Sequence, residues 1–185
     1  PPYWALRDYE TEGEIWDDGK KCKHKFKIEH FKRDSSNEKI AKGKTGKGRG
    51  FRNFKRGFCQ KCNAWKGQLG LEPDFNLYIE HLCGIFDDVK KVLKNNSTLW
   101  VNLSDTYYGS GVGCSYVKNY PSKSLALIPC RFAIEMVKRG WILRNTIIWH
   151  KPNSMPSSAT DRFTVDFEYL LLFSKSKNYY FNQEK

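Results

Sequence analysis

The sequence predicts an α/β chain: a mixed, mostly buried sheet with flanking helices, interrupted near its start by a small basic module. Three observations carry this reading. Residues 98–149 run strand, helix, strand, and both strands are rich in apolar residues. The stretch from Phe75 to Leu93 repeats apolar residues at helical spacing. Positive charge is concentrated in one segment: residues 20–66 hold 17 Lys or Arg against 3 Asp or Glu, net +14, while the remainder holds 15 against 17, net −2.

Taken in order, residues 1–19 are short and acidic, with Trp4, Tyr9 and Trp16 available for packing. Lys42 to Gly50 is Gly-rich, positive and low in complexity, so it cannot bury a core and is expected to be mobile without a partner. In the first helix Phe75, Tyr78, Ile79, Leu82, Ile85, Phe86, Val89, Val92 and Leu93 form the apolar stripe. Pro73 suits its first turn and Asn95-Asn96 its end. Thr98–Leu103 is a short strand. Pro129 can open a second helix that buries Phe132, Ala133, Met136 and Val137, with Gly140 as its stop. Ile142–Trp149 and Phe167–Phe173 read as strands with no helix between them, which suits an antiparallel pair. In open α/β sheets the ligand lies beyond the carboxyl ends of the strands. Ser104–Gly113, His150–Asp166 and the opening Pro1-Pro2-Tyr3-Trp4 are the segments expected there.

Composition narrows the class. A chain of 185 residues has room for one domain plus a small insertion. With 39% hydrophobic and 15% aromatic residues it can bury a core, which excludes a wholly disordered chain. No apolar run approaches the roughly 18 to 20 residues of a membrane span, and no secretory signal is visible at the start. Six Cys at irregular spacing do not form a secreted disulfide framework, so an intracellular, reducing, cytoplasmic setting is expected. The basic block draws polyanions, nucleic acid above all; a solvated basic loop is the plain alternative.

Two constellations carry chemistry. In Pro1-Pro2-Tyr3-Trp4 the prolines fix an extended backbone and remove two N–H donors, leaving carbonyls to accept from a ligand. The following Tyr3 offers a flat face, so the group can hold a planar base with an exocyclic amine; a Pro-rich turn with two packed aromatics is the alternative on these residues alone. Cys59-x-x-Cys62 is half of a zinc site, since a two-residue spacer lets both thiolates reach one ion. Cys22-x-His24 is its candidate partner pair, with His30 as a spare ligand. Zinc would tether the base of the Gly- and Lys-rich segment. Cys83 and Cys114 are read as bystanders, and His81, on the buried helix, as a surface or packing residue.

Pro1-Pro2-Tyr3-Trp4 followed by Leu6-Arg7-Asp8-Tyr9 resembles the catalytic motif of the amino DNA methyltransferases. The likeness continues in Gly70-Leu71-Glu72-Pro73, in Leu99 to Tyr107, in Gly140 to Asn145, in Ile147 to Asn153, and in Asp161-Arg162, Phe167-Glu168-Tyr169 and Phe173-Ser174-Lys175. The blocks follow the β-class order, catalytic half first. The resemblance implies a Rossmann-like methyltransferase fold, with residues 1–16 and 70–185 forming the catalytic subdomain; the charge and Cys/His spacing make 17–69 a basic, zinc-tethered insertion. It implies site-specific methyl transfer, of the restriction–modification kind, from S-adenosylmethionine to cytosine N4 or adenine N6 in double-stranded DNA. The target base would be flipped out, because an amine within the stack cannot meet the donor in line. Carried over, the carbonyl of Pro1 would accept from the amine, Tyr3 would stack on the base, and the residue before Pro1 would be the second acceptor. Trp4 beside Tyr3 leans toward cytosine. Catalysis would be mostly positioning, with no covalent intermediate.

Trp4, Asp105, Lys151, Pro152, Asn153 and Arg162 are expected at the substrate and DNA edge, and Lys42, Lys44, Lys47 and Arg49 on phosphates. Pro129-Cys130 resembles the nucleophile pair of cytosine-C5 enzymes, but its place at a helix start favours a packed thiol. Gly109-Ser110-Gly111-Val112-Gly113 is read as a loop near the site. The family's spaced-glycine cofactor motif does not occur before Lys185, so an incomplete fold is expected, with further sequence or a second chain supplying that motif. A binding or regulatory subunit of the same fold, or an RNA amino-methyltransferase, are the alternatives.

Overall fold

The computed structural model describes residues 1–6, 9, 11–17, 21–27, 56–109 and 120–182. Lys42, Lys44, Lys47, Arg49, His30, Cys114 and residues 110–113 lie outside them. The described residues form a mixed α/β structure with two three-stranded sheets. In chain order the elements are β1 (Glu14–Trp16), β2 (Gly57–Phe58), β3 (Trp65–Gly67), α1 (Phe75–Val92), β4 (Thr98–Leu103), α2 (Ile128–Lys138), β5 (Ile142–His150) and β6 (Phe167–Ser174). The small sheet has the order β1-β3-β2 and the larger one β4-β6-β5. Every pairing in both is antiparallel. In the larger sheet β6 lies between β4 and β5, so those two run parallel to each other without touching.

Helix α1 begins where Asp74 caps it, its carboxylate accepting from the Asn76 N–H at 2.6 Å. Pro73 therefore stands one residue outside the cap rather than in the first turn. The helix ends at Leu93, whose extended backbone (ψ 143°) stops it before Asn95. Helix α2 starts at Ile128 with Pro129 just inside, and closes at Gly140, whose φ of +81° favours glycine. The Gly140 and Trp141 N–H groups return to the carbonyls of Val137 and Met136.

The core packs Phe75, Tyr78, Ile79 and Leu82 of α1 and Phe132, Ala133 and Met136 of α2 onto Val101 and Leu103 of β4 and Leu171 and Phe173 of β6. Trp4, Tyr108 and Trp141 complete it. Three expectations change. The larger sheet is not mostly buried: most of β5 faces solvent, as do Trp100, Ile148 and Trp149. The helices bury their apolar faces on β4 and β6, and β5 forms an edge. Val137 is exposed, not buried, and Cys130 is exposed rather than a packed thiol. Both lie with Ile134 on the outer stripe of α2, at i, i+4 and i+7.

Candidate functional site

The carboxyl ends of β4 and β5 meet the amino end of β6, since Leu103 pairs with Tyr169 and His150 with Phe167. The Pro-Pro-Tyr-Trp segment reaches this end. Its two aromatics separate: Tyr3 is half-buried beside the sheet end and Trp4 enters the core. Tyr3 Oη donates to Asn102 Oδ1 at 2.7 Å. Glu168 lies beside Tyr3 and Asn102, and Lys151 Nζ donates to its carboxylate. Tyr3, Asn102, Glu168 and Lys151 thus make one polar cluster. Burial first, and then the neighbouring Glu168, push the Tyr3 phenol well up, so it stays protonated and neutral near pH 7. Burial opposes charge on Glu168, but Lys151, Tyr3 and Asn102 outweigh it and hold that carboxyl below its ordinary value.

The backbone of the motif is held from beneath. Tyr78 Oη donates to the Pro2 carbonyl at 2.6 Å. Among the described residues nothing donates to the Pro1 carbonyl, so the two proline carbonyls are not equivalent. The Ala5 N–H donates to Gly70 O at 2.7 Å. Gly70 has φ +91°, and a Cβ there would sit 3.2 Å from Tyr3 O and 3.3 Å from Pro2 Cβ. This close approach is what glycine supplies.

Glu72 anchors the cradle. It is fully buried; its Oε2 accepts from the Gly70 N–H at 2.8 Å and its backbone carbonyl from Trp4 Nε1 at 3.1 Å. Its Oε1 faces His81 Nδ1 at 3.0 Å, while His81 Nε2 faces Asp17 Oδ2 at 2.8 Å. The His81 ring is sandwiched between Trp16 of β1 and Trp65 of β3, at 4.7 and 5.6 Å. His81 is therefore a buried packing residue that ties the small sheet to the cradle. Burial disfavours charge on both members of the Glu72–His81 pair and pushes the Glu72 carboxyl up. On His81 the two flanking carboxylates outweigh burial and raise the imidazole above its ordinary value. A raised folded value means that its stabilisation is fully present below the unfolded value of about 6.5 and is lost as pH rises through the folded one. Denaturant unfolding should show wild type losing its advantage over His81→Gln as pH rises above about 6.5. A pH-independent difference would remove the charge argument.

Several expected site residues are placed otherwise. Trp4 is completely buried, so it cannot touch DNA; it packs edge-on against Phe75 and Tyr108. The Asp105 carboxylate accepts from the N–H groups of Thr106, Leu127 and Ile128 at 2.9, 2.9 and 3.0 Å. It caps α2 from outside, because Leu127 at the cap position has φ 58° and no side-chain bond of its own. Arg162 lies 4.2 Å from the centre of the Tyr107 ring and pairs with Asp161, in a cleft lined also by Lys123, Leu125 and Leu127. Pro152 and Asn153 remain on the surface next to Lys151. Asn102, Glu168 and Tyr78 were not singled out from sequence, because an alternating or helical pattern accounts for each without a partner. A signal exists for two of them, since Asn102 and Glu168 are isolated polar residues within apolar strands; Tyr78, on α1, carries none.

The four expected metal ligands come together. The ligand atoms of Cys22, His24, Cys59 and Cys62 all lie within 4.8 Å of one another, with Cys22 Sγ to Cys59 Sγ at 3.9 Å and Cys62 Sγ to His24 Nδ1 at 3.3 Å. They sit at the turn following β2, beside the small sheet.

Comparison with known proteins gives these features a family. The type II methyltransferase M.SfiI of Streptomyces fimbriatus is 39% identical over 125 residues, covering 64% of this chain and 29% of that protein. M.SmaI of Serratia marcescens is 39% identical over 134 residues, covering 64% and 46%. M.Cfr9I of Citrobacter freundii is 35% identical over 133 residues, covering 63% and 44%. The chain thus spans less than half the length of these relatives. A family model described as DNA methylase matches residues 1–185, so the chain belongs to the N6/N4 DNA methylase family.

Proposed function

We propose that this chain is the catalytic half of a β-class enzyme that methylates an exocyclic amine, cytosine N4 or adenine N6, of a base flipped out of duplex DNA. The observation that carries it is the Pro-Pro-Tyr geometry. One carbonyl, that of Pro1, has no donor among the described residues, while Tyr78 holds the next at 2.6 Å. An aromatic ring stands beside it with its hydroxyl tethered to Asn102. A base amine donating to Pro1 O while its ring stacks on Tyr3 would have its nitrogen lone pair oriented for in-line attack, so that positioning supplies the rate.

S-adenosylmethionine would supply the electrophilic methyl group when bound. This chain's Pro1 carbonyl and Tyr3 ring would act on the acceptor base, the carbonyl, without a donor among the described residues, fitting an amine. The antiparallel β6 inserted between β4 and β5 supports a Rossmann-like reading, in which this sheet is one edge of a larger one. We assign residues 1–16 and 70–185 to the catalytic subdomain and 17–69 to an insertion. β1, just before that insertion, pairs with β3, near the insertion's carboxyl end, and closes its base. Its net positive charge would attract the DNA backbone through Lys42, Lys44, Lys47 and Arg49, adding roughly 0.9 to the salt slope of binding per phosphate contact.

The test is transfer of a labelled methyl group by the full-length protein to duplex DNA and to RNA, followed by nucleoside analysis. Label on cytosine N4 or adenine N6 of duplex DNA is expected. Label on RNA alone would favour an RNA enzyme. No transfer to either, with DNA still bound, would favour a binding subunit.

A further inference from the structure

We propose that Cys22, His24, Cys59 and Cys62 form a closed, structural zinc site that builds the small module and through it braces the Pro-Pro-Tyr cradle. Three thiolates and one imidazole at tetrahedral corners, with bonds of about 2.3 Å to sulfur and 2.0–2.1 Å to nitrogen, would place neighbouring sulfurs about 3.8 Å apart and sulfur and nitrogen about 3.6 Å apart. The separations of 3.9 Å and 3.3 Å fall on these edges. A disulfide would need about 2.05 Å between sulfurs, so this is not a bonded pair.

The backbone around the thiols is shaped independently of the side-chain positions. The Lys61 N–H points at Cys59 Sγ at 3.5 Å, an orientation that favours a thiolate there. The Asn63 N–H returns to Cys59 O at 2.9 Å, and Asn63 takes φ +61°, a left-handed conformation that asparagine tolerates. Cys59 N–H bonds Ala64 O, which closes the turn between β2 and β3. The second pair is brought in by Phe26, bridged to Cys59, and by the Gln60 N–H donating to Lys25 O. Four protein ligands leave no open position, so the ion would be structural rather than catalytic.

The module needs such a staple. Strands β1, β2 and β3 have three, two and three residues, and an isolated sheet of that size is marginal in water. Its strand β3 carries Trp65, which with Trp16 clamps His81 and so holds Glu72 under Gly70 and the Pro-Pro-Tyr backbone. Metal would thus reach the cradle through a chain of contacts without touching substrate.

Full-length protein purified without chelator should carry about one zinc per chain. Cobalt(II) exchanged into the site should give the intense visible bands of a tetrahedral thiolate complex. Cys130→Ser should keep the metal and Cys62→Ser should lose it. Because Cys62→Ser could unfold the module, wild-type protein stripped with a chelator provides the second readout. Amides of Cys59, Asn63 and Trp65 should lose protection from hydrogen exchange and regain it when zinc alone is returned. Absence of zinc, a six-coordinate cobalt spectrum, or exchange protection indifferent to chelation would each overturn the proposal.

Discussion

Tyr3→Ala in the full-length enzyme should reduce methyl transfer roughly 5- to 150-fold while leaving the protein folded. Base–aromatic stacking contributes about 1–3 kcal/mol per base, which converts to that range of rates if it is expressed in the transition state. The side chain and its hydrogen bond to Asn102 are only partly buried, so stability should change far less. Tyr3→Phe separates the two contributions. It keeps the ring and gives up the Asn102 bond, and it should retain most of the turnover. Equal loss in both variants would shift the role from the ring face to the hydroxyl. Unchanged transfer in Tyr3→Ala would remove Tyr3 from the base site.

The neighbouring aromatic should behave in the opposite way. Trp4→Ala should cost about 3–5 kcal/mol of stability, as expected for truncating a fully buried large aromatic. The substitution empties a space between Phe75 and Tyr108 and leaves the Glu72 carbonyl without its indole donor. Urea unfolding followed by circular dichroism would measure it. A loss below about 1 kcal/mol would mean that the core closes around the gap. Two adjacent residues of one motif thus divide the work, one facing the proposed substrate and one anchoring the backbone that presents it.

That division marks how far the candidate site was legible. The Pro-Pro-Tyr segment is readable because its chemistry is local: two missing N–H donors and a ring. Which carbonyl stays open is not local. Tyr78 lies 76 residues away and selects Pro2 by its position on α1. Asp105 looks like a loop charge in sequence, yet its carboxylate serves a helix start 22 residues later. Its partners are backbone N–H groups, which carry no sequence signature.

Features set by short spacing are legible along the chain. The two helices follow from apolar periodicity, with Pro129 and Gly140 at the ends of the second; the Asp74 cap of the first was not read from the sequence. The strands follow from apolar runs, and the Cys22, His24, Cys59 and Cys62 grouping from thiol spacing that the fold then brings within 4.8 Å. The rest comes from contacts between distant segments. These placed β6 between β4 and β5, left β5 facing solvent, put Cys130 on the outer stripe of α2, and assembled Glu72, His81, Trp16 and Trp65 under the motif. Strand order and burial depend on which faces the helices cover. A buried carboxylate depends on donors arriving from distant segments. Neither is encoded in the spacing of neighbours along the chain.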